Sequence, residues 1–179
     1  MLHPEEFPDL SQACEIAIDL ETRDPNLNIR MGSGSGVGVG EVVGVSVATE
    51  DFCAYYPFAH EGGGNMDRKM IIKWLTAVLK TPSDKIFHNA MYDVCWIKTL
   101  PDMKLNGKII DTMIAAGIVN ENRFKYDLNS LSREYLKEGK NETALREAAN
   151  ALGVDPKSEM YKLPAMYVGE YAEKDANLT

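Results

Sequence analysis

Glu15-Ile16-Ala17-Ile18-Asp19-Leu20-Glu21-Thr22 reads as a buried β-strand that closes on two carboxylates one residue apart. Side chains alternate along a strand, so Ile16, Ile18 and Leu20 share one face while Ala17, Asp19 and Glu21 share the other. Two like charges held side by side near the interior of a sheet need a positive partner, and a divalent cation meets that need. Taken alone, the residues also fit a strand whose Glu21 ends in solvent and whose Asp19 bonds to a backbone group. The rest of the chain decides between these readings.

The 179 residues are 45% hydrophobic and 26% charged, which suits one globular domain with a substantial core. The opening MLHPEEFPDL is acidic and lacks a basic start before an apolar core, and no later apolar run is long enough to cross a bilayer. A soluble, cytoplasmic chain is expected. Cys14, Cys53 and Cys95 form neither a CxxC pair nor an even disulfide set, so they are read as thiols in a reducing compartment. The net charge of −8 argues against a domain that grips nucleic acid by neutralising phosphates on its own. It leaves room for an enzyme that meets phosphate through metal ions, because such a site concentrates acids.

Met31 to Gly40, MGSGSGVGVG, invites a phosphate-loop reading, but no GxGxxG register fits and no GK[ST] follows. Residues 31–40 are therefore expected to be a flexible hairpin connection. Val42 to Thr49 and Phe52 to Pro57 read as strands joined by Glu50-Asp51. Helical spacing follows from Asn65 to Lys80, then a short strand at Lys85 to Phe87, a helix through Ile97, and another strand near Ile109-Ile110. Helices are expected from Asp111, with Asp111 as cap, from Asp127 to Lys137, from a capping Asn141 to Leu152 before Gly153, and from Pro164 onward. The order gives an α/β domain with a mixed sheet.

Asn89 reads as a helix N-cap, with Asp93 one turn later among the apolar neighbours Met91, Tyr92, Val94, Cys95 and Trp96, where a charge needs a reason. Tyr171 and Asp175 repeat the spacing in the last helix. A D-x-E strand, an N-x-x-x-D helix and a Y-x-x-x-D helix, in that order, resemble the DEDD superfamily of 3′-to-5′ exonucleases in its tyrosine subtype. Tyr56 to His60, Asp111-Thr112-Met113 and Tyr126 to Leu131 look like connecting segments of the proofreading domain of family A DNA polymerases. Gly153 to Ala176, GVDPKSEMYKLPAMYVGEYAEKDA, looks most like its bacteriophage members.

The resemblance implies a ribonuclease-H-like mixed sheet flanked by helices and a site for two Mg²⁺ or Mn²⁺ ions. Asp19, Glu21, Asp93 and Asp175 would be the metal ligands, Tyr171 would orient the attacking water, and Thr22 and Asn89 would touch substrate. The implied reaction removes 5′-mononucleotides from the 3′ end of single-stranded DNA, in a single domain, residues 1–179, at the N-terminal part of a longer chain that carries the polymerase domain. For a phage-encoded enzyme the compartment is the bacterial host cytoplasm. Two other readings stay open: a silent scaffold that positions DNA, and an RNA exonuclease similar to ribonuclease D. His88 and Asp93 also have the histidine subtype's spacing, but that register leaves Tyr171 and Asp175 unused. His88 is then a strand-end residue near the site, and His60 a loop residue with no assigned role. Tyr92, Trp96, Phe124 and Tyr126 are candidates for stacking on bases, and Arg23, Lys98 and Arg123 for meeting phosphates, although Trp96, at helical spacing with Ile97 and Leu100, reads better as core. The chain stops four residues after Asp175, so that ligand is expected in a frayed last turn.

Overall fold

Strand β1 (Glu15–Arg23) forms where the alternation predicts it, with Ile16, Ile18 and Leu20 buried in the computed structural model, which describes residues 7–29 and 32–179. Residues 1–6, with most of the acidic opening, and Met31, the first residue of the glycine-rich run, lie outside the described residues. β1 is the centre of a five-stranded sheet of order β3-β2-β1-β4-β5, built with β2 (Glu41–Thr49), β3 (Phe52–Pro57), β4 (Asp84–Phe87) and β5 (Ile109–Asp111). β2 runs antiparallel to β1 and to β3, while β4 runs parallel to β1 and to β5. The mixed sheet expected from the element order is present.

Helices α1 (Arg68–Lys80) and α2 (Ala90–Ile97) cover one face, where Ile71, Leu75 and Trp96 join Ile18, Val45 and Val47 in the larger core cluster. α3 (Thr112–Val119) and α4 (Leu128–Tyr135) follow β5, and α5 (Thr143–Leu152) and α6 (Ala165–Leu178) complete the chain. α6 crosses β1, β2 and β3 on the opposite face. The helix can lie close because its buried stripe is small: Ala165, Val168, Gly169, Ala172 and Ala176 recur at helical spacing. That approach lowers Tyr171 and Asp175 onto the face of β1 that carries Asp19 and Glu21.

Several boundaries differ from the sequence reading for local reasons. α1 begins at Arg68, with Asp67 accepting from the Met70 N–H, because Asn65 is committed elsewhere: it accepts from the His60 N–H and donates to the His60 carbonyl. Asn141 accepts from the Thr143 N–H, yet Glu142 holds the cap position of α5. The glycine-rich connection carries a 3-10 turn, Gly34–Val37, whose first N–H donates to buried Asp24. His60 is buried. Its Nδ1–H faces the Leu163 carbonyl at 3.1 Å, so Nε2 must accept from the Tyr55 hydroxyl, 2.5 Å away. Desolvation holds this imidazole down at about 4, so it is neutral and serves as a strut between β3 and the segment leading into α6.

Asp111 does more than the expected cap. Besides the Met113 and Ile114 N–H groups of α3, it accepts from the N–H groups of Asn89 and Ala90 at the start of α2. One cap is worth about 1 kcal/mol, so Asp111→Ala should cost about 2 kcal/mol, lowering the thermal midpoint by about 4–8 °C. Thermal unfolding followed by circular dichroism checks this; an unchanged midpoint contradicts the shared cap.

Candidate functional site

β1 pairs with β4 only over Glu15 to Ala17, so beyond Ala17 its β4-side edge is open. Asp93, in the first turn of α2, fills that opening: the Leu20 N–H donates to Asp93 Oδ1 at 3.2 Å. On the sheet face beneath α6, Asp19 stands in one row with Ser46 and Tyr55, and Glu21 in the next row with Gly44. Gly44 is required there, because a Cβ would lie 2.1 Å from the Tyr55 hydroxyl. Immediately after Glu21 the β1–β2 register shifts by a bulge, which ends regular pairing at the site's margin. The site thus forms at the carboxyl end of the central strand, where open α/β sheets leave a crevice.

Glu21, Asp93 and Asp175 are buried, with Asp93 and Asp175 each 3% exposed. Burial, then Asp93, Glu21 and Asp175, push the Asp19 carboxyl well above its ordinary range, while Lys140 opposes them. Burial and Asp175 push Glu21 up to about 8, and burial pushes Asp93 up to about 7 against the Leu20 hydrogen bond. Asp175 is raised by burial and held back by Lys140, whose ammonium lies 2.5 Å from Oδ2. Tyr171 is raised by burial and by Glu21, Asp175 and Asp19, so its hydroxyl keeps its proton and acts as a donor. The expected frayed turn is absent at Asp175: α6 runs to Leu178, and the Thr179 N–H and hydroxyl both donate to the Asp175 carbonyl.

The structure therefore brings Asp19, Glu21, Asp93, Tyr171 and Asp175 into one electrostatic unit. Thr22 and Asn89 flank it. The Thr22 hydroxyl donates to Tyr92, which donates in turn to Asp24. Asn89 takes a left-handed conformation with φ 70°, and its side chain makes no cap; Asp111 supplies that bond, which leaves Asn89 lining the adjoining groove. The groove encloses about 620 Å³, and its lining includes His88, Asn89, Lys140, Arg146, Lys157 and Tyr171. His88 is a strand-end residue beside the site, as expected, with Nδ1 2.9 Å from the Thr112 hydroxyl.

Trp96 is core. Arg123 is engaged with Glu134 and Tyr135, Arg23 lies within ion-pair reach of Glu41 and Glu61, and Tyr126 donates to the Asn120 carbonyl. Phe124 is fully exposed. Lys140 is the site residue that sequence reasoning missed: KEGKN reads as a solvated charged turn.

An all-oxygen donor set suits a hard divalent cation. Asp175 Oδ1 is buried without a hydrogen-bond partner, which fits a cation there as well. Among the described residues no three acid, histidine or cysteine side chains are already gathered into a cage, so binding would have to draw the carboxylates inward. No helix among them is long and apolar enough to cross a membrane.

Comparison with known proteins gives the family and the fold. A family model described as 3′-5′ exonuclease, from the family A DNA polymerases, matches residues 5–179. A DNA-directed DNA polymerase of Pseudomonas phage M6 is 35% identical over 175 residues, covering 96% of this chain and 26% of the relative. DNA polymerase DpoZ of Salmonella phage PMBT28 is 26% identical, with the same coverage of both. The chain thus spans about a quarter of the length of these relatives. Among solved structures, Trypanosoma brucei RNase D superposes with a TM-score of 0.65 at 17% identity, covering 94% of this chain and 56% of that one. Brucella melitensis NrnC with bound Mg²⁺ superposes with a TM-score of 0.54 at 14% identity, covering 96% and 88%. The fold is the ribonuclease-H-like fold of these exonucleases.

Between about pH 4.5 and 8 the raised Glu21 and Asp93 carboxyls bind more protons in the folded chain than in the unfolded one, so stability falls as pH rises through that window. Each unit of upward shift costs about 1.4 kcal/mol once pH exceeds the folded value. With divalent ions chelated, the thermal midpoint should drop from the acidic to the alkaline end of the window, and Glu21→Gln should flatten the drop. A midpoint that stays level or rises contradicts the assignment.

Proposed function

Since the chain belongs to the 3′-5′ exonuclease family of the family A DNA polymerases, a family of nucleases, we propose that it hydrolyses the terminal phosphodiester of single-stranded DNA from the 3′ end and releases 5′-mononucleotides. The observation that carries this reading is the convergence of Asp19, Glu21, Asp93 and Asp175 with Tyr171 at the carboxyl end of β1. In the proposal, the four acids would hold two Mg²⁺ or Mn²⁺ ions, whose charge would activate water and stabilise the leaving 3′ oxygen. Asp19, flanked by Glu21, Asp93 and Asp175, would be a ligand alongside those three acids. Tyr171, whose hydroxyl burial and the neighbouring acids keep protonated, would orient the attacking water rather than serve as a strong base. Thr22 and Asn89, at the rim, are assigned to the terminal nucleotide.

The phage polymerases, in which this stretch is about a quarter of the chain, support a proofreading role beside a polymerase domain in the same polypeptide, in the cytoplasm of a bacterial host. The test is degradation of a 3′-ended single-stranded DNA oligonucleotide with Mg²⁺ or Mn²⁺, with an RNA oligonucleotide of the same sequence and Asp19→Ala in parallel. We expect a ladder shortening from the 3′ end, faster on DNA, that falls to background in Asp19→Ala. A ladder that persists in Asp19→Ala overturns the metal assignment. Faster RNA cleavage replaces the reading with an RNA exonuclease, and no cleavage by folded wild type leaves a DNA-positioning scaffold.

A further inference from the structure

Lys140 reaches the acid cluster from the segment between α4 and α5, and that segment is fastened along α6. Glu138 pairs with Lys174, Lys140 with Asp175, and the Asn141 side chain donates to Glu170. Its own backbone is fixed as well, since the Lys140 N–H donates to Asn129 Oδ1 on α4. Gly139 permits the close passage: a Cβ there would lie 3.0 Å from the Arg133 side chain and 3.1 Å from Asn129 Oδ1. The Lys140 side chain, only 19% exposed, ends with its ammonium 2.5 Å from Asp175 Oδ2 and 3.4 Å from the Tyr171 hydroxyl, with the Tyr171 ring centroid 5.2 Å away.

This arrangement divides the work of the Asp175 carboxylate. Oδ2 is taken by the ammonium, and Oδ1 is buried with no partner at all. A carboxylate so held cannot turn Oδ1 away without breaking a charge-assisted bond in a water-poor place. The same ammonium donates toward the Tyr171 hydroxyl, which in turn donates to the Asp175 carboxylate, so the three groups hold one another in place.

We propose that Lys140 is a positioning residue: it fixes Asp175 with Oδ1 presented to the cation, and it aims the Tyr171 hydroxyl. The assignment rests on the metal-dependent reading above. It makes Lys140 an outer partner of a liganding carboxylate, a class of residue whose loss costs about 10- to 100-fold in metal affinity. Coulomb repulsion between the ammonium and the bound ion acts in the other direction, so the sign of the effect decides between orientation and repulsion.

The experiment is Mn²⁺ binding followed by electron paramagnetic resonance of the free ion, in wild type, Lys140→Met and Lys140→Arg, with folding checked by circular dichroism. Lys140→Met should weaken Mn²⁺ binding by about 10-fold or more. It should also lower kcat with little change in the KM for a single-stranded oligonucleotide. Lys140→Arg, which keeps a charged donor, should recover part of both. Should Lys140→Met not fold, Lys140→Gln, which keeps a neutral donor, takes its place with the same expectation for Mn²⁺. Unchanged or tighter Mn²⁺ binding in the Met or Gln variant overturns the proposal while leaving the metal site intact. A wild type that binds no Mn²⁺ overturns the metal reading, and this proposal with it.

Discussion

Four carboxylates crowd into a place that water reaches poorly, at the end of the central strand. Charged groups of one sign resist such confinement, and the response is visible in each of them: Asp19, Glu21, Asp93 and Asp175 all hold their protons more tightly than free acids do. The confinement persists because the rest of the fold is built to overcome it. On the far face of the sheet, Ile16, Ile18 and Leu20 lie in a broad apolar cluster with α1 and α2, and that burial holds β1 in place whatever the acids prefer. On the near face, the alanine and glycine stripe of α6 closes the gap. A single ammonium offsets part of the repulsion.

How far this was legible in the sequence depends on how far apart in the chain the interacting groups lie. Alternation along β1, the spacing of Asn89 to Asp93 and that of Tyr171 to Asp175 are local, and each places its side chains on the expected element. The mixed sheet was equally readable from the order of strands and helices. Lys140 was not, because its meaning lies in a contact 35 residues away and its own neighbourhood looks like any charged turn. His60 and Asn65 were opaque for a related reason. Each is polar, close to the other in sequence, and bonded to backbone, so a loop residue and a helix start looked alike from the sequence. Asn89 was half right: it occupies the cap position, but the capping bonds come from Asp111, at the end of the next element.

The acidity of the chain also acquires a structural sense. A net charge of −8 would repel a nucleic acid from an unorganised surface. Two of the arginines weighed as phosphate contacts are occupied, Arg123 by Glu134 and Arg23 by Glu41 and Glu61. The cations that line the groove are Lys140, Arg146 and Lys157, of which Lys140 is paired with Asp175 and Arg146 with Glu142. Acids share the lining with them, Asp127 and Glu142 among them, so the groove is mixed in charge rather than basic.

The shared capping of α2 and α3 by Asp111 has a dynamic consequence. The first turns of the helix that carries Asp93 and of the helix that follows β5 are sealed by one side chain. Neither turn can open alone while that carboxylate stays in place, and both lose their seal together when it leaves. In the language of amide exchange, Asn89, Ala90, Met113 and Ile114 belong to a single opening unit, although more than twenty residues of chain separate the two pairs. Local loosening at the start of α3 is thereby felt at Asp93, and the acid that plugs the open edge of β1 is only as steady as a bond made at the end of β5.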